Sequence, residues 1–247
     1  MNKILAFDVS NNSCSVAISL DQEILAFEQE LEPSMQAERL MVLIESVLKK
    51  ARLQYQDIDY LAVTTGPGSF TGIRIGIAAA RGIIFASNGI ASNIKGIGIT
   101  NFEASYYRAC EQVKDHDSAL IMLNAYRGQL YVQEFAGGVP SAEARIIDDS
   151  ELKSLLQNRS GVTICAGSGL AKSYAEIKEL DDFITSDLII LPRFPVIRAL
   201  HIARLAGQKI KRGEITPIAP LYIRKPDAII PKPFAEILAK KSRSKGG

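Results

Sequence analysis

A two-lobed α/β protein, with duplicated mixed sheets flanked by helices, is the fold class that this 247-residue sequence predicts. Three observations predict it. Apolar runs of strand length alternate with longer segments of helical period. The order strand–strand–strand–helix–strand–helix occurs twice. A polar stretch, "EQVKDHDS", separates the two copies and sets the expected lobes at 1–111 and 118–247.

In the first copy, "KILAFDVS" is an apolar strand that ends on Asp8. "CSVAISL" and "EILAFEQEL" alternate around "DQ" as a hairpin. A helix over Met35 to Arg52 follows, then the strand "DYLAVTT", a glycine-rich loop and a helix over Thr71 to Ser87. "NIKGIGI" is a further strand and "TNFEASYYRAC" a short helix. In the second copy, "ALIMLNAYRGQLYVQEF" is two strands about a turn at Arg127 and Gly128, with "EARII" as a third. "DDSELKSLLQ" is helical, "GVTICAGSG" is a strand entering a glycine turn, and a helix over Val196 to Lys211 comes last. The duplicated order resembles that of the actin-like and ribonuclease H-like (ASKHA) superfamily, whose nucleotide sits between lobes against two strand–strand turns.

Composition narrows the function classes. The chain is 47% hydrophobic and 23% charged, as globular proteins are, and its formal charge is only +2. Acidic and basic residues interleave, so the body lacks the basic stripe of a protein that grips nucleic acid alone. The end, "KKSRSKGG", is basic and reads as a solvated tail or a weak contact to RNA phosphate. Cys14, Cys110 and Cys165 stand far apart, which excludes a disulfide framework and a zinc knuckle and suits a reducing compartment. With no apolar run approaching a membrane span and no leader pattern at "MNKILAFDVS", the expected location is the cytoplasm, away from any membrane.

The loop "TTGPGSFTGIRIG", Thr64 to Gly76, raises the sharpest question. A P-loop needs a lysine and a following Ser or Thr for phosphates and magnesium, and neither is placed for that here. Gly66, Gly68 and Gly72 also miss the dinucleotide spacing. The helix behind the loop carries Gly72, Gly76, Ala79, Ala80 and Ile83 on one face, with Arg74 and Arg81 nearly opposite. Each helical glycine costs about 1 kcal/mol against alanine, so close packing must compensate. Two readings stand open: packing within this chain, or against another. The preceding helix favours the second, because Met35 and Val42 lie away from its core stripe, among Glu38, Glu45 and Lys49.

Little else carries chemistry. Asp8 could bind metal at the end of the first strand, but its counterpart in the second copy is Asn124, which brings no negative charge. Asp8 alone also reads as a turn cap. Gly167, Ser168 and Gly169 form a strand-to-helix turn, placed where the second lobe of an actin-like fold meets adenosine. His116 and His201 are too far apart for a helical metal pair. No metal ligand set is therefore expected.

The segments "ILAFDVSNNSCSVAISL", "DIDYLAVTTGPGSFTGIRIGIAAARGI", "NAYRGQLYV" and "APLYIRKPDA" together resemble the TsaB family of bacterial tRNA threonylcarbamoyladenosine biosynthesis proteins. That resemblance implies a non-catalytic partner of TsaD. TsaD is the actin-like enzyme that places threonylcarbamoyl on N6 of adenosine 37 in tRNAs reading codons that begin with A. It implies a TsaE-type ATPase as third member, a homodimer as an alternative pairing, and tRNA reached only through the complex. It implies no cofactor of the chain's own, with ATP or ADP and magnesium entering at the level of the complex. It also implies that the two helices of the first lobe form the pairing face, comprising Met35, Glu38, Val42, Gly72, Arg74, Gly76, Ala79, Ala80 and Ile83. The rival class is a stand-alone phosphotransferase or hydrolase with its site near Asp8, Asn124 and Gly167–Gly169.

Overall fold

In the computed structural model the described residues are 1–11, 13–32, 36–89, 93–157, 159–170, 187–191, 194 and 196–224. Met35 and the basic tail at 240–247 lie outside them.

The first sheet is built from β1 (Lys3–Asn11), β2 (Ser13–Leu20), β3 (Glu23–Glu30), β4 (Tyr60–Thr64) and β5 (Lys95–Ile99), in the order β3-β2-β1-β4-β5. β1 pairs antiparallel with β2 and parallel with β4. The second sheet uses β6 (Ser118–Asn124), β7 (Leu130–Ala136), β8 (Val139–Pro140), β9 (Arg145–Ile147), β10 (Thr163–Ala166) and β11 (Leu188–Ile190). Its order is β11-β10-β6-β7-β8, with β9 also on β7. β6 again pairs antiparallel with the next strand and parallel with β10. The duplication expected from the sequence is therefore present strand by strand.

β1 is buried on both sides, and its period-2 alternation sends different residues to two cores. Leu5, Phe7 and Val9 join a cluster with Leu61, Val63, Ile73 and Ile77 beneath α1 (Gln36–Ala51) and α2 (Phe70–Asn88). Ile4 and Ala6 face the opposite way, with Ala17 and Ala62. The helix on that second face is α5 (Ala199–Arg212), with α3 (Asn101–Gln112) and α4 (Asp149–Gln157) preceding it in the chain. Its Ala199, Ala203 and Ala206 meet the alanines of the sheet, so backbones approach closely. Ser15 fixes the start of α5 by accepting from the amide of Ala199 at 2.9 Å.

The last helix of the second copy thus covers the first sheet. The exchange is mutual, because α3, the last helix of the first copy, packs Phe102 and Ala109 against Ala119, Ile121 and Ile164 of the second sheet. A boundary at 111–118 separates the sheets, while α5 and the strand-like segment 216–221 return to the first one. Gly98 donates to the Thr216 carbonyl at 2.9 Å and Leu221 to that of Thr65 at 2.8 Å. Where the exchanged helices meet, the buried Lys209 ammonium bonds the Glu103 carboxylate.

α2 is 19 residues long and, among the described helices, apolar enough by length and composition to cross a membrane. Its buried face is occupied by β1 and β4 instead, which identifies it as a core helix.

Two outcomes follow from this packing. A Cβ on Gly72 would lie 1.9 Å from the Val9 carbonyl oxygen, whereas one on Gly82 would meet nothing within 4 Å. In thermal melts Gly72→Ala should lower the midpoint strongly, and Gly82→Ala should raise stability by about 0.5–1 kcal/mol through helix propensity. The second outcome concerns His201, which accepts from the Arg198 amide through Nδ1 at 3.1 Å. Burial, then the nearby Arg108, Arg198 and Arg204, lower its pKa to about 4, despite the Glu111 carboxylate 3.9 Å away. A native state that stays neutral below the ordinary value of about 6.5 loses stability as pH falls from 6.5 towards 4. NMR titration of the His201 ring should give its midpoint near 4.

Candidate functional site

The end of β1, where chemistry would reside in an actin-like fold, is closed by its own hydrogen bonds. Asp8 is fully buried. Its Oδ1 accepts from the Ser10 amide at 3.0 Å, from the Ser10 hydroxyl, and from the Thr64 hydroxyl at 2.6 Å. Its Oδ2 accepts from the Asn11 side-chain amide at 3.2 Å. Asn101, at the head of α3, donates to the Ser10 hydroxyl at 2.7 Å. The carboxylate thereby ties β1 to β4 and, through Ser10, to α3. A group receiving several donors in a buried site is expensive to disturb. No cluster of three His, Cys, Asp or Glu residues suited to metal exists among the described residues.

The glycine loop answers its question here. Ser69 caps α2, its hydroxyl accepting from the Gly72 amide at 3.2 Å. The Ser69 amide donates to the Ser10 carbonyl at 2.7 Å, and the Thr65 amide to that of Ile99 at 2.8 Å. A Cβ on Gly68 would fall 2.5 Å from the Ser10 carbonyl oxygen, and one on Gly76 would fall 2.8 Å from Val9 Cγ2. The glycines exist so that α2 can lie directly on β1. The expectation that Gly72, Gly76 and Ala80 meet another protein is therefore corrected: all three are buried against the chain's own sheet.

The second sheet repeats the device. Gly167 has φ +125°, and a Cβ there would stand 2.1 Å from the Met122 carbonyl oxygen. Gly169 donates to that same carbonyl at 3.0 Å and approaches Leu123 and Leu130. Between them, Ser168 accepts from the Asn124 amide at 3.4 Å. The two glycines weighed as adenosine contacts are thus used in seating a turn on β6.

Nucleophilic side chains are equally engaged. Burial, with Asp8 next, pushes the Cys14 thiol up to about 12, and burial does the same to Cys165. The structure brings together one Cys–His pair that sequence spacing did not reveal. Cys110 Sγ lies 3.7 Å from His116 Nε2, with the Tyr106 hydroxyl 3.2 Å from the same nitrogen. Burial raises both the thiol and the phenol, the latter to about 12, so the trio is neutral packing and no activated nucleophile.

The open surface is on the outer sides of α1 and α2. Val42 is 49% exposed, Met41 is 42% exposed and Phe85 is 85% exposed. A groove of about 530 Å³ runs between the helices, lined by Met41, Tyr55, Ala79, Gly82, Ile83 and Ala86, with Glu45 at its side. A second hollow of about 770 Å³ continues past Phe85 to Ile84 and Ile218. Of the residues expected on this face, Glu38 and Val42 are exposed, Ala79 is half-buried and Ile83 forms the groove floor. Arg74 is drawn off to Phe70 and Tyr222. Met41 and Phe85 are the additions. Phe85 could have been found as a large apolar residue between exposed positions of α2.

With this geometry in place, comparison with known proteins is informative. A family profile described as TsaD, tRNA N6-adenosine threonylcarbamoyltransferase, matches residues 34–150. The chain is 27% identical over 172 residues to the tRNA threonylcarbamoyladenosine biosynthesis protein TsaB of Escherichia coli strain K12, covering 68% of this chain and 71% of that one. It is 26% identical over 236 residues to TsaB of Haemophilus influenzae, covering 90% and 93%. A solved Pseudomonas aeruginosa structure, described as similar to peptidase YeaZ, superposes with a TM-score of 0.71 at 20% identity, over 91% of this chain and all of that one. The resemblance to TsaB proteins and the actin-like architecture are both borne out.

The Asp8 cluster yields a direct check. Asp8→Asn places an amide where three donors converge, and should cost about 1–3 kcal/mol in urea unfolding. Magnesium titrated into the parent protein by calorimetry should give no heat attributable to Asp8.

Proposed function

We propose that the chain is a non-catalytic subunit of the machinery that installs threonylcarbamoyl on N6 of adenosine 37 in tRNAs reading codons that begin with A, and that it docks a TsaD-type enzyme through α1 and α2. The observation that carries this reading is the exposed apolar face formed by Met41, Val42, Ala79, Ile83 and Phe85 on those helices. An apolar centre bordered by Glu38, Glu45 and Lys49 has the anatomy of a protein interface. The same helices carry the small residues that hold α2 against β1, so the face is rigid before any partner arrives. The kinship supports it too, since the named relatives are TsaB proteins and the matching profile is that of TsaD.

In this reading the chain supplies a surface and TsaD supplies the reaction. A TsaE-type ATPase joins the pair, nucleotide and magnesium belong to the assembly, and tRNA is engaged by the complex in the cytoplasm. A second copy of the chain uses the same face when TsaD is absent. Gly76 cannot test this, because a side chain there collides with Val9 and Val63 inside the fold. Val42 and Phe85 can. Val42→Arg combined with Phe85→Asp should leave the melting curve intact and weaken capture of TsaD by about 2–4 kcal/mol, roughly 30- to 1,000-fold. Unaltered capture by the folded variant contradicts the assignment of this face.

A further inference from the structure

We infer that the cleft between the glycine loop and the β6–β7 turn is a nucleotide site, taking an aromatic base together with its phosphate. It goes beyond the pairing reading and uses different residues. The cleft holds about 490 Å³ and is lined by Phe70, Arg74, Tyr126, Arg127, Tyr222 and Arg224, among apolar and glycine neighbours. Three guanidinium groups therefore converge with no carboxylate among the lining residues, in a chain whose charges elsewhere interleave. Three aromatic rings beside them are about half exposed or more, which is unusual for side chains of that size.

The geometry is built. The Arg74 guanidinium lies 3.6 Å from the centroid of the Phe70 ring and donates through Nε to the Tyr222 hydroxyl at 3.1 Å. Arg224 donates to the Ala125 carbonyl at 3.0 Å and to Gln129 Oε1 at 2.8 Å, fastening the wall that carries Tyr222 to the turn opposite. In that turn Tyr126 and Arg127 both adopt left-handed backbone, at φ 60° and 55°. Glycine or asparagine would sit there with less strain. A tyrosine and an arginine held consecutively in that conformation put an exposed ring and a cation on the cleft rim. Stacking on aromatic rings with arginines tracking phosphate is how single-stranded nucleic acid is held without sequence preference. The shared chemistry is a nucleotide, which reaches the cleft either as a unit of single-stranded RNA or as a free mononucleotide.

The test is fluorescence anisotropy of a labelled seven-nucleotide oligoadenylate RNA with the full chain at low salt, with AMP as competitor. The expected result is saturable binding that weakens as salt rises. Tyr126→Ala and Arg127→Ala should each weaken it about tenfold or more, and Tyr126→Phe should retain it. A heptamer that far outcompetes AMP assigns the site to RNA strands, and equal competition assigns it to free nucleotide. Absence of binding by both probes up to millimolar concentrations overturns the inference. So does binding that the folded Tyr126→Ala and Arg127→Ala proteins keep in full. Capture of TsaD depends on Val42 and Phe85, so the two readings fail separately.

Discussion

Each sheet in this protein has two faces, and the helices of its own half cover only one of them. The reciprocal packing of α3 on the second sheet and α5 on the first supplies the missing layer, and much else in the structure depends on it. Alanines line both sides of the α5 contact because helix and sheet must come together closely. A lysine–glutamate pair is buried where the exchanged helices meet, and losing one partner would strand a charge in an apolar setting. The halves are therefore not independent bodies joined by a linker.

That constraint explains why the end of β1 carries little chemistry. α3 begins beside Ser10, and Asn101 must be satisfied there, so Asp8 is drawn into a network running from β1 to β4 and α3. The glycine loop is pressed onto the same strand end, its amides spent on protein carbonyls. With the inner space filled, the features left for function are external: the apolar face of α1 and α2 and the arginine-rich cleft.

Much of the fold was legible in the sequence because its signals are local. The alternation of β1, the period of α1 and the capping serine of α2 each reflect forces within a few residues. The sites were less legible because they depend on neighbours distant in the chain. Small residues at 72, 76 and 80 correctly announced close packing, but the sequence could not say that Val9 was the neighbour. Arg74 looked like part of the pairing helix until Tyr222, 148 positions later, was seen to accept its hydrogen bond. Tyr126 and Arg127 gave no sequence signal of their cleft, since it depends on the return of residues 221–224.

The central claim is that this protein acts by presenting the outer face of α1 and α2. Hydroxyl-radical footprinting of the chain with and without a TsaD-type partner tests it most directly, because Met41, Phe85, Tyr126 and Tyr222 are all exposed reporters. The account predicts that the partner shields Met41 and Phe85 and leaves the two tyrosines reactive. Shielding of the tyrosines with Met41 and Phe85 unchanged would contradict it.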